Sequence, residues 1–225
     1  MVVLNKLSKI ELAIILLCIV ITISIPGLGV LISFAIVFIY LLSGKKRKQN
    51  FKSIGFVSPD NWLKTILISI ILAIVIQAAM TILAGPLIDK ITNAETDLTA
   101  FNNIRGNWIN YLLLILVGWL VGGFIEEILF RGFLITRISK FFSNEELGNW
   151  IAIIITSFIF GFSHLYQGWD GVINTGLTAL LLGIIFIKSG KILWYSIITH
   201  GFINVIGLTL IYLEWDKNFE GLLFN

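Results

Sequence analysis

Apolar residues run along this chain in long blocks separated by short polar punctuation, and the blocks have the length of helices rather than strands. The run "ELAIILLCIVITIS" fills 11–24 and "VLISFAIVFIYLLSG" fills 30–44, with "IPGLG" between them. Proline and glycine together break a periodic segment, and 11–44 is longer than the about 20 residues of one membrane span. The pattern therefore predicts a hairpin of two short helices rather than one long kinked helix. Helix three is predicted from Trp62 to Ala84, followed by one long polar loop over 86–107. Helix four runs from Trp108 through Glu126 to about Phe142, and "SNEELGN" at 143–149 reads as a polar turn. Helices five, six and seven are placed at 150–165, 171–187 and 192–213. The fold class expected is all-α, a polytopic membrane bundle of about seven spans with an intramembrane cavity.

Composition agrees with that pattern. The chain is 57% hydrophobic and 13% charged, against roughly 25% charged residues in soluble domains. The net charge of +3 comes from basic residues in short loops, which speaks against a nucleic-acid surface. The single cysteine, Cys18, excludes an internal disulfide and a cysteine-based zinc site; it reads as a small core or lipid-facing hydrophobe. The N-terminal stretch lacks a small-residue cleavage site and is read as a retained helix. Lys6, Lys9, the "KKRK" run at 45–48, Lys52, Arg137, Lys140, Lys188 and Lys191 all fall on one side if 11–44 is a hairpin. Lys90, Arg105 and Lys217 fall on the other. The positive-inside rule then puts the N-terminus in the cytoplasm and the C-terminus outside, in a multi-pass cell-membrane protein.

Few ionisable groups remain inside the apolar blocks, where a charge costs about 2.5–3.5 kcal/mol on insertion scales. Glu126, Glu127 and Arg131 lie on helix four, His164 on helix five and His200 on helix seven. Glu127 and Arg131 are four apart, share one helical face and are expected to pair. Glu126 is turned about 100° away, so one carboxylate is read as structural and its neighbour as chemical. His164 shares a face with Phe160, and His200 shares one with Asn204. A carboxylate, two imidazoles and an amide can activate water against an amide bond, with Glu126 as base, His164 positioning the water, and His200 and Asn204 holding the oxyanion. Glu126, His164 and His200 also read as a site for zinc with an open position, although the H-E-x-x-H signature is absent. The residues alone leave open whether the water is metal-bound. Taken at face value, the helix boundaries put His164 about 21 Å up helix five at about 1.5 Å per residue, with Glu126 nearer the cytoplasmic side. The site then closes only if helix five starts inside the bilayer or the two helices are offset or tilted.

"EEILFR" (126–131), "FGFSH" (160–164) and "HGFIN" (200–204) follow one another on successive apolar segments. They match EExxxR, FxxxH and HxxxN, and on these the chain resembles the CAAX-protease and bacteriocin-processing (CPBP, or Abi) family of intramembrane endopeptidases. The resemblance covers about 108–213 and divides the chain into variable N-terminal helices and a polar loop (1–107) and a catalytic core (108–225). It implies hydrolysis of a peptide bond with catalytic residues Glu126, His164, His200 and Asn204, supported by Glu127, Arg131 and Phe160. It favours a mechanism without a cofactor, with zinc as the alternative. The substrates it implies are a hydrophobic peptide or the tail of a membrane protein, in bacteriocin self-immunity or peptide maturation. The competing readings are a non-catalytic immunity or binding protein using the same cavity, and a proton-coupled carrier. The carrier reading predicts an internal repeat, and the N-terminal half has no counterpart to the 126–204 cluster.

Overall fold

The computed structural model describes residues 9–25, 27–44 and 50–215. Lys6, the basic run at 45–48 and Lys217 lie outside them, so those parts of the charge count do too. The described residues are helical with no strand. The chain opens with α1 (Lys9–Ser24) and α2 (Leu28–Ser43), each 16 residues long. They form the expected hairpin. Gly27 takes φ 75°, and a Cβ on Gly29 would stand 2.4 Å from the Ile21 carbonyl oxygen. Glycine is needed there both for the left-handed backbone and for the close approach. Five longer helices are apolar enough to cross a membrane: α3 (Trp62–Thr92), α4 (Trp108–Phe141), α5 (Glu145–Ser163), α6 (Leu165–Lys188) and α7 (Leu193–Tyr212).

Three of these helices start at an asparagine cap. The side chains of Asn61, Asn107 and Asn144 accept the backbone N–H of Lys64, Asn110 and Leu147, which satisfies donors that a helix start leaves open. Asn144 changes the expected boundary: "SNEELGN" is not a turn but the start of α5, with Glu145 and Glu146 in its first turn, where negative charge suits the helix dipole. The polar loop is also shorter than expected. A π turn at Met80–Ala84 carries α3 past Gly85 and Pro86 to Thr92, and a 3₁₀ turn at Thr99–Ile104 follows. The Thr92 hydroxyl donates to buried Asp170 at the start of α6, and the Asp97 N–H donates to the Gln167 carbonyl at 2.9 Å. The loop is thus tied down over the end of the bundle.

The main core joins α1 and α2 to α4, α5, α6 and α7. Cys18 lies fully inside it, its Sγ near the Ser33 carbonyl oxygen. Arg137, counted with the basic residues of one side, is one of the largest fully buried side chains. Its Nε pairs with Glu11 of α1 at 3.2 Å and its Nη2 donates to Ser53 at 2.7 Å. The hairpin is therefore pinned to the end of α4 by charge as well as by packing. Lys52, Lys140, Lys188 and Lys191 still gather at that end, where the Leu193 N–H meets the Gly55 carbonyl and Lys191 meets Glu145.

Candidate active site

The middle of α4 is wound as a π-helix, over Gly118–Glu126 and Ile128–Ile135. Such wide turns are rare and recur at functional sites. Glycines bring α7 against this stretch. A Cβ on Gly123 would lie 3.2 Å from the Cα of Gly201, and one on Gly201 would lie 2.4 Å from the Trp119 ring. A Cβ on Gly122 would stand 2.3 Å from the Asn204 amide nitrogen. That amide lies over bare backbone and donates one N–H to the Gly118 carbonyl at 2.9 Å, leaving its second N–H for the cavity. Gly122→Ala is expected to push the amide aside. A displacement of about 1 Å at a reacting centre can lower turnover on the order of 10²-fold, so kcat on a cleavable peptide should fall by about that factor while the helices remain formed by circular dichroism.

The two adjacent carboxylates separate as their spacing predicts. Glu127 is fully buried, and its Oε1 accepts from Arg131 Nη1 at 2.7 Å and from His200 Nδ1 at 2.8 Å. Arg131 also donates to the Ala179 carbonyl at 3.0 Å and lies over the Phe160 ring. Glu127 thus joins α4 to α7, and Arg131 joins α4 to α6. Glu126 instead lines the cavity, with its Oε2 3.9 Å from His200 Nε2. That gap is too long for a direct hydrogen bond.

His164 ends α5, and its Nδ1 meets the Phe160 carbonyl oxygen at 2.9 Å. Both histidines are therefore held through Nδ1, which leaves both Nε2 atoms free to face the cavity. Phe160 supports the pair, its ring centroid 4.7 Å from His164 and 6.0 Å from His200. The expected mismatch in depth does not occur. Glu126 lies about 15 residues before the end of α4 and His164 about 19 after the start of α5, so at about 1.5 Å per residue they stand within roughly 6 Å of the same level. Contact between Phe130 of α4 and Phe160 of α5, at 5.0 Å, fixes that alignment.

Glu126, His164, His200 and Asn204 share one cavity of about 430 Å³. Sequence reasoning missed part of its wall: Gln77 of α3 and Asn174 and Thr178 of α6 face it, as do Leu98 and Phe101 from the loop. Gln77 and Asn174 are polar residues within apolar helices, the signal that singled out the histidines. Gln77, Asn174 and Thr178 also line a second cavity of about 280 Å³ that reaches Asp89 and Glu95. Among the described residues no three His, Cys, Asp or Glu side chains group to hold a metal ion. Two ligands at about 2.1 Å in a tetrahedral shell stand about 3.4 Å apart, closer than the 3.9 Å between Glu126 and His200.

Residues 108–206 match the family model described as type II CAAX prenyl endopeptidase Rce1-like. No curated protein and no solved structure matches the chain.

Proposed function

We propose that this chain, whose residues 108–206 match the type II CAAX prenyl endopeptidase Rce1-like model, hydrolyses a peptide bond in a hydrophobic peptide or membrane-protein tail by a glutamate-activated water. At family level the activity is that of an intramembrane endopeptidase. The observation that carries the finer reading is the split between the adjacent carboxylates: Glu127 is used up in orienting His200 and Arg131, while Glu126 is turned into the cavity.

In this reading Glu126 takes a proton from a water that His164 holds through Nε2. The water oxygen attacks the scissile carbonyl carbon. The resulting oxyanion is met by the second N–H of Asn204 and by His200, which donates from Nε2 when its ring carries both protons. In that form its Nδ1–H bond to the Glu127 carboxylate is charge-assisted. Glu126 then returns the proton to the leaving nitrogen as the C–N bond breaks, giving a carboxylic acid and an amine. Leu98, Phe101 and Leu208 supply apolar wall for the substrate, and the mouth shared with the second cavity lets a chain continue past the scissile bond. The lysines at 52, 140, 188 and 191 would place their end of the bundle in the cytoplasm, with the loop over 93–104 at the opposite end.

The test is peptide processing in membranes carrying wild-type or His200→Ala protein at matched levels. Losing an oxyanion donor costs about 10²–10³-fold, so product should drop to background in the variant. Equal processing by both would make the cavity a binding site rather than a catalytic one.

A further inference from the structure

The threonine hydroxyls of α6 are bonded to their own helix. Thr175 donates to the Gly171 carbonyl at 2.6 Å and Thr178 to the Asn174 carbonyl at 3.1 Å. The Asn174 side chain differs from them. It is half-buried and lines both the Glu126 cavity and the second cavity that opens from it. Among the described residues no hydrogen bond reaches its amide. Gln77 of α3 is half-buried and lines the same two cavities. It donates one N–H to Thr81 Oγ1 at 3.0 Å, which leaves its carbonyl oxygen and its second N–H. Its amide lies over bare backbone of α7: a Cβ on Gly207 would stand 3.8 Å from the Oε1 and 3.9 Å from the Nε2. Amide groups left without partners in an apolar helix bundle are costly, and these two come from different helices to the place where the cavities join.

That place is beside the reacting groups, not among them. Gly207 stands about 10 Å along α7 from His200 at about 1.5 Å per residue. An extended chain presents the N–H and C=O of one residue to the same edge. A primary amide offers a donor and an acceptor side by side, which match that pair. A helical chain has already spent those groups on its own turns.

We propose, resting on the reading that this cavity takes a peptide for cleavage, that Asn174 and Gln77 bind the main chain of the substrate next to the scissile bond. Each amide pairs with the N–H and C=O on one edge of the chain. The substrate class that follows is a segment unwound at this point, recognised through its backbone and not through the side chain carried there.

The experiment measures binding, so it does not depend on turnover. A fluorescently labelled peptide of leucine, valine, alanine and phenylalanine in non-repeating order is titrated into the full chain carrying Glu126→Gln in mixed micelles. The same titration is made with Asn174→Leu or Gln77→Leu added, and leucine suits both helices. Asn174→Leu should weaken binding by about tenfold, the factor for losing a pair of neutral hydrogen bonds, and Gln77→Leu should weaken it several-fold. N-methylation of the peptide, one backbone nitrogen at a time, should weaken binding at the position facing Asn174. That sensitivity should vanish in the Asn174→Leu protein, which a purely structural role would not produce. Equal affinity with and without Asn174→Leu, or an N-methyl penalty that Asn174→Leu leaves unchanged, would overturn the assignment. Cleavage of the peptide by the Glu126→Gln protein at the wild-type rate would overturn the glutamate mechanism instead and leave the binding results standing. No binding of the peptide in any of these proteins would overturn both.

Discussion

Glu127→Ala is expected to lower the unfolding free energy by about 3–5 kcal/mol, the range for stripping one partner from a buried ion pair. Arg131, 1% exposed, would keep the Ala179 carbonyl, the Phe160 ring and a longer-range attraction to Glu126, but no hydrogen-bonded counter-charge. His200 would lose its Nδ1 partner in the same step. The effect should therefore appear both as an earlier unfolding transition in mixed micelles and as lost activity. Glu127→Leu combined with Arg131→Leu should recover much of the stability, because two apolar side chains leave no buried charge, but should not recover activity. The exposed pair Lys191–Glu145 is nearly as close, at 2.8 Å against 2.7 Å for Arg131–Glu127, and breaking it should cost no more than about 1 kcal/mol. A loss below about 1 kcal/mol for Glu127→Ala would show that the Glu127–Arg131–His200 chain does not hold α4, α6 and α7 together.

Glu126→Gln should do the opposite. The carboxamide has nearly the same shape and stays at the cavity wall, so the melting temperature should move by no more than a few degrees. Turnover should drop by about 10²–10⁴-fold, the range for loss of a positioned general base. Two adjacent residues of one type are thus expected to give nearly orthogonal results: one variant folded and inactive, the other unstable as well as inactive. Steady-state cleavage and thermal melting, measured on the same preparations, check both.

Much of this arrangement was legible in the chain because it follows from helical spacing. Four-residue separations put Glu127 with Arg131, Phe160 with His164 and His200 with Asn204, and the structure keeps each pair on one face. The break at "IPGLG" announced the hairpin because glycine and proline act locally. What failed to show depended on which helices meet. Arg137 could only be counted among the basic residues of one side, since nothing in its own neighbourhood indicates that Glu11 of α1 lies against it. The mismatch in depth came from taking Glu126 to lie near the cytoplasmic side, whereas it stands about 15 residues before the end of α4; the cap at Asn144, whose local sequence does carry the signal of an N-cap followed by acids, only lengthens α5. Gln77 and Asn174 were visible as polar residues in apolar helices but had no partner in sequence to mark them as cavity wall. The π winding of α4 depends on how α7 packs over Gly118, Gly122 and Gly123, and these glycines alone do not distinguish it from an ordinary close crossing.

The most direct measurement is mass spectrometry of a hydrophobic peptide incubated with equal amounts of purified wild-type protein, wild-type protein after chelator treatment, and Glu126→Gln. Wild type should give one new cleavage product, with the same yield after chelation, and Glu126→Gln none. Cleavage by Glu126→Gln at the wild-type rate, or cleavage that disappears with the chelator and returns with zinc, would contradict it.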